Sequence, residues 1–198
     1  MEKKLSVNNL VISFRTPAGK VQAVRNISFD LNKGETLAIV GESGSGKTMT
    51  ALSVMGLLSP AASITGGSIR LDGRELIGLD ERSMSRIRGK DIAMIFQEPM
   101  TSLNPTMRIG KQLAEAVRLH CEKTDIKPSR AQLKSRVLDA LSDVNLTEPE
   151  RIYNSYPHEL SGGMRQRVMI AMGTICRPGY LLCDEPTTAL DVTTQKGI

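Results

Sequence analysis

The chain has 198 residues, enough for one domain to bury a core without disulfide or metal staples. It is 40% hydrophobic and 24% charged, close to the globular average, which excludes a disordered or low-complexity chain. The net charge of +5 is spread evenly, and three Phe, three Tyr and no Trp offer little for base stacking, so no nucleic acid is expected as a partner.

In chain order, the start MEKKLSVNN has no stretch resembling a signal peptide, and no apolar run approaches the roughly 20 residues of a membrane-spanning helix. A cytoplasmic chain is expected. Leu10–Phe14 and Val21–Leu31 flank the turn-like TPAGK, and Ser68–Asp72 alternates between Gly66-Gly67 and Asp72-Gly73; these predict antiparallel strands with one wet face. Thr36–Val40 (TLAIV), Ile92–Phe96 (IAMIF) and Tyr180–Cys183 (YLLC) are unbroken apolar runs, the pattern of strands buried on both faces of a parallel sheet. Thr48, Leu52 and Met55 recur at helical spacing after the first run. Between Thr101 and Pro157, Ile109, Leu113 and Val117, then Leu133, Val137, Leu141 and Val144, predict a helical insert of about 60 residues. Cys121, Cys176 and Cys183 form no CxxC pair and read as small core hydrophobes.

Each apolar run ends in residues with chemical use, where open α/β sheets bind their ligands. Residues Gly41-Glu42-Ser43-Gly44-Ser45-Gly46-Lys47-Thr48 match GxxxxGK[ST] between a predicted strand and a predicted helix, the context of a phosphate-binding P-loop. Its glycines let successive N–H groups turn toward phosphate oxygens, Lys47 neutralises the β- and γ-phosphates, and the Thr48 hydroxyl can ligate Mg²⁺. The plain alternative is a Gly/Ser turn that happens to contain a lysine. Asp184 and Glu185 close the last run: Asp184 suits Mg²⁺, and Glu185 can polarise an attacking water, against the plain reading of a solvated acidic pair. Ser161, before Gly162 and Gly163, reads as the N-cap of the helix through Val168–Ala171 and as a second anion site flanked by Arg165 and Arg167.

Together these phrases resemble the ATP-binding cassette (ABC) ATPases, with Walker A at 41–48, a Q-loop at Gln97, the signature LSGGMRQR at 160–167, Walker B at 180–185 and a D-loop at Ala189-Leu190-Asp191. The resemblance covers essentially the whole chain. It implies an α/β fold: a P-loop NTPase (RecA-like) parallel-sheet core over 1–97 and 171–198 with an N-terminal antiparallel β subdomain, and an inserted helical signature subdomain over 98–170. It further implies ATP and Mg²⁺, with Gly41, Glu42, Ser43, Gly44, Ser45, Gly46, Lys47 and Thr48 around the phosphates and Thr48, Gln97 and Asp184 toward the metal. In this family two cassettes pair head to tail, so Ser161, Gly162 and Gly163 would meet the γ-phosphate held by a second ABC ATPase subunit. The resemblance assigns Gln97 and Glu185 to catalysis, Asp191 to contacts across the dimer and Phe14 to stacking on adenine.

The phrases MIFQEPMTSLNP (94–105), NSYPH (154–158) and DEPTTALDVTTQ (184–195) look like the importer subgroup for dipeptides, oligopeptides, nickel and glutathione. That implies transmembrane permease subunits as partners, an extracytoplasmic solute-binding protein as an indirect one, and a peripheral place on the cytoplasmic face of the inner membrane. The family's switch histidine lies well beyond the D-loop; here Asp191 is followed by seven residues, and His120 and His158 match other positions. The expectation is therefore a C-terminally truncated cassette, a piece of a longer protein, that hydrolyses ATP poorly by itself. The alternatives are a truncated cassette that binds ATP and partners without hydrolysis, and a soluble non-transport ABC protein, for which coiled-coil or tandem-cassette insertions would be expected.

Overall fold

The computed structural model describes residues 4–17, 19–98, 102–121 and 128–186. They fall into two compact units, Met1–Ser85 and Arg86–Ile198.

In the first unit, β1 (Lys4–Thr16) and β2 (Gly19–Asn32) form an antiparallel hairpin, with Lys4 opposite Asn32 and Thr16 opposite Gly19. β3 (Ala62–Leu71) pairs antiparallel with the other edge of β1, and the two-residue β4 (Arg74–Glu75) follows the Asp72-Gly73 turn, giving the order β2-β1-β3-β4. The alternation predicted over Ser68–Asp72 is met on β3, where Ile69 and Leu71 are buried and Arg70 is exposed, and β1 buries Leu5, Val7, Leu10 and Ile12. Helix α1 (Lys47–Val54) follows the glycine loop, and α2 (Glu81–Ile87) begins before the unit's last residue, Ser85. On α1 the buried residues are Thr50, Ser53 and Val54. Of the expected stripe, Met55 at the C-cap of α1 is buried, Leu52 is half-buried and Thr48 is exposed.

The run Thr36–Val40 departs from expectation. It forms no strand, and Leu37, Ile39 and Val40 are 41%, 48% and 92% exposed. A strand is defined by its neighbour's hydrogen bonds, and among the described residues no ladder forms on this segment.

In the second unit, β5 (Ile92–Ile95) and β6 (Tyr180–Cys183) pair in parallel, with Ile92 opposite Tyr180 and Ile95 opposite Cys183. All four β5 residues are buried, as an unbroken apolar run demands; on β6 only Tyr180 is, and Leu181 stays 38% exposed. The predicted helical insert is present as α3 (Ile109–Cys121), α4 (Arg130–Asp143), α5 (Pro149–Asn154) and α6 (Gly162–Thr174), with a 3-10 turn at Pro157–Glu159. Its core is the predicted stripe: Ile109, Leu113 and Val117 meet Leu133, Val137 and Leu141, together with Ile152, Val168 and Ile95 of β5. Ser129 caps α4 in a reciprocal box, accepting from the Gln132 N–H at 3.3 Å while the Gln132 Oε1 accepts from the Ser129 N–H at 2.8 Å. At the far end, Arg136 donates through Nε (3.3 Å) and Nη2 (2.9 Å) to the carbonyl of Ile175, just past α6. Cys176 is buried in this core, as expected of a small hydrophobe, and Cys183 is exposed.

Candidate active site

The loop before α1 owes its shape to local chemistry. The Ser45 N–H donates to the Glu42 carbonyl at 3.2 Å, closing a turn, and Gly44 (φ +77°) and Gly46 (φ +95°) take left-handed conformations. Gly46 is the N-cap of α1, its carbonyl accepting from both the N–H and the hydroxyl of Thr50 at 2.9 Å. A Cβ at Gly46 would lie 2.7 Å from the Ala23 carbonyl oxygen, so this position combines a positive φ with a close backbone approach. The Lys47 ammonium donates to the carbonyls of Gly41 (2.7 Å) and Glu42 (3.0 Å), which holds its charge over the loop. Glu42 and Ser43 are exposed, and Thr48 is exposed on the first turn of α1. Two left-handed glycines, a helix start and a fixed ammonium are the features from which anion-binding nests are built.

In the second unit the two parallel strands deliver three polar residues to one place. Gln97 follows β5 by two residues, and Asp184 and Glu185 directly follow β6. The Asp184 N–H donates to the Ile95 carbonyl at 2.9 Å, which extends the strand pairing to the carboxylates. Asp184 is buried, whereas Glu185 turns out of the strand at φ +48°. Gln97 Nε2 donates to Glu185 Oε2 at 2.8 Å, joining residues 88 positions apart. Although the neighbouring Cys183 keeps exposed surface, partial desolvation of its thiol pushes the pKa above its ordinary value. Within this unit the amide oxygen of Gln97 and the carboxylate of Asp184 are hard oxygen donors, the kind Mg²⁺ takes together with nucleotide phosphates, and in the first unit the Thr48 hydroxyl is of the same kind.

Ser161 is the N-cap of α6, and its Oγ accepts from the Met164 N–H at 3.3 Å, as the sequence predicts. Ser161 and Gly162 are exposed, Gly163 is half-buried, and a Cβ on Gly162 would meet nothing within 4 Å, so this helix start is open to a partner. The flanking arginines each lend one guanidinium donor to a backbone carbonyl of their own unit. Arg167 Nη1 donates to the Asn145 carbonyl at 2.7 Å and Arg165 Nη1 to the Pro157 carbonyl at 3.5 Å, because these carbonyls at turns within the same unit take up guanidinium donors. His158 stacks on Tyr156 with ring centroids 5.5 Å apart, a packing role. Phe14 lies half-buried on β1 opposite Val21 and Ala62. Asp191 lies outside the described residues.

A family model described as ABC transporter matches residues 24–188, which takes in every one of these motifs up to the acidic pair. The chain belongs to the ABC transporter family. Among its relatives in that family are the dipeptide transport ATP-binding protein DppD of Bacillus subtilis (strain 168), 54% identical over 100% of this chain and 58% of that protein, and the oligopeptide transport ATP-binding protein OppD of the same strain, 51% identical over 98% and 53%. The glutathione import ATP-binding protein GsiA of Escherichia coli O1:K1 / APEC is 52% identical over 98% of the chain and 31% of its own length. The chain thus spans little more than half of the dipeptide and oligopeptide relatives. Its fold matches the dimeric post-hydrolysis ATP-binding cassette MJ0796, bound to ADP and Pi, with a TM-score of 0.87 at 28% identity over 98% of this chain and 79% of that one.

One residue of this ABC transporter cassette was not foreseen as part of the site. Gln166 is fully buried and its Nε2 donates to the carbonyl of Pro186, next to Glu185. The signal was present in the signature helix, where a polar residue shares a face with Met169 and Ile170 at i+3 and i+4.

Proposed function

We propose that this cassette is the ATP-binding and ATP-hydrolysing part of a subunit that energises import of peptides or a related small solute. The observation that carries the reading is the 2.8 Å contact between Gln97 and Glu185 at the ends of adjacent parallel strands, in a chain that also holds a P-loop lysine on its glycine loop. Residues Gly41 to Thr48 hold the phosphates, with Phe14 against the adenine, and the Lys47 charge falls on the β- and γ-phosphates. Glu185 accepts a proton from the attacking water, and Gln97 keeps its carboxylate in place. Thr48, Gln97 and Asp184 would hold Mg²⁺, which when bound would supply positive charge to offset that developing on the transferred phosphoryl group. Ser161, Gly162 and Gly163 of one cassette, with Asp191, meet the nucleotide of the other. In the proposed division, residues 1–97 and 171–198 form the nucleotide core and 98–170 the signature subdomain.

The names of the relatives at 51–54% identity support the peptide class of cargo, and permease subunits as partners. No described helix is long and apolar enough to cross a membrane, so we place the subunit peripherally, on the cytoplasmic face, docked on the permease. The test is phosphate release by the assembled transporter, parent against Glu185→Gln. The amide can neither take the proton nor carry the charge, so turnover should fall by about 10²- to 10⁴-fold while ATP binding persists. Equal turnover would remove Glu185 from catalysis, and a parent complex that binds ATP but releases no phosphate would favour the non-hydrolysing alternative.

A further inference from the structure

Gln166 occupies a position where burial alone would favour an apolar side chain. It is 0% exposed, and the residues after it on α6, Val168, Met169, Ile170 and Ala171, are all buried. Its Nε2 donates to the Pro186 carbonyl oxygen, while its Oε1 has no hydrogen-bond partner among the described residues. An amide buried with one polar atom unmatched is less stable there than an apolar group of equal size, so packing does not account for a glutamine. The amide instead grips one backbone atom, and that atom follows Glu185. Glu185 sits at φ +48°, a conformation that a glutamate keeps only where its surroundings impose it. The turn is held at three points: Asp184 N–H on the Ile95 carbonyl, Gln97 on the Glu185 carboxylate, and Gln166 on the Pro186 carbonyl.

We infer that Gln166 is a positioning residue whose amide holds the Glu185-Pro186 turn and thereby aims the Glu185 carboxylate. Gln166 stands five residues after Ser161 on the helix that Ser161 caps, a separation of about 7.5 Å along a rigid element. The consequence rests on the proposed head-to-tail pairing. Ser161 then meets the nucleotide bound by the other cassette, whereas Glu185 serves the nucleotide of its own chain. A shift of α6 on engaging one nucleotide is thus passed through Gln166 to the base acting on the other.

The test uses the purified transporter complex and Gln166→Met, which keeps side-chain length and apolar burial but has no N–H to donate. We expect kcat to fall at least tenfold, KM for ATP to stay within twofold, the Hill coefficient for ATP to move toward 1, and the thermal midpoint to hold or rise. Gln166→Asn, smaller and unable to span the same distance, covers the case in which methionine does not fold, and should show the same split between kcat and KM. A folded variant with kcat within twofold of the parent, or a loss of kcat that simply follows a loss of stability, would overturn the inference. A parent complex with no ATPase activity would overturn the proposed function itself; an active parent matched by Gln166→Met overturns only the role of Gln166.

Discussion

A methyl group added at Gly46 meets two separate penalties that Gly44 allows to be pulled apart. At Gly46 the new Cβ would lie 2.7 Å from the Ala23 carbonyl oxygen and 3.0 Å from Val24 Cγ2, both on β2, and the residue would keep φ +95°. The left-handed backbone costs an L-residue about 1–2 kcal/mol, and overpacking against a strand backbone that cannot easily move adds about 1–3 kcal/mol. Gly46→Ala should therefore destabilise the chain by about 2–5 kcal/mol. Gly44 has φ +77° and open space around its Cβ position, so Gly44→Ala carries the backbone strain alone, about 1–2 kcal/mol. Urea unfolding of both variants, read by circular dichroism, measures the difference, and nucleotide titration should show the Gly46 variant as the weaker binder. Equal destabilisation of the two, or a Gly46→Ala value within about 0.5 kcal/mol of the parent, would refute the claim that β2 and the loop are in forced contact.

Two further outcomes are expected. A Cβ at Gly110 would run into the ring of Tyr153, so Gly110→Ala should lose about 1–3 kcal/mol in the same unfolding assay and regain part of it when combined with Tyr153→Leu; strict additivity would contradict that contact. Hydrogen bonds from Ser6 and then from Lys4 hold the Asp30 carboxyl below the usual carboxylate range. A lowered folded pKa adds stability above the unfolded value and loses it as pH falls through the folded one. The thermal midpoint of the parent should therefore exceed that of Asp30→Asn near neutrality, with the gap closing between about pH 5 and pH 2; a gap constant over that range contradicts the assignment.

Where local pattern decides structure, the sequence was legible. Alternation over Ser68–Asp72 on β3 and the 3.6-residue stripe through Ile109, Leu113 and Val117 each placed an element and its buried face. Thr36–Val40 is an unbroken apolar run like Ile92–Ile95, yet only the latter is a strand among the described residues, because pairing depends on a neighbour far away in sequence. The glycine loop was readable since φ above zero calls for glycine at Gly44 and Gly46. Gln97 alone carried no signal from its own neighbourhood; its contact with Glu185 exists only because β5 and β6 end side by side. Arg165 and Arg167 read as charge beside an anion site, and what the sequence did not show is that each also lends one Nη1 donor to a backbone carbonyl, at Pro157 and Asn145, which depends on how the turns before α5 and α6 fold.

The account stands most directly on nucleotide held by the Walker A loop, and calorimetric titration of Mg-ATP into the parent chain and into Lys47→Ala tests it. The lysine supplies charge-assisted contacts of about 1.5–3 kcal/mol, so the account predicts binding by the parent and a Kd weakened about ten- to a hundredfold in the variant. Parent and variant binding with the same affinity, or a parent that gives no binding heat at all, would contradict it.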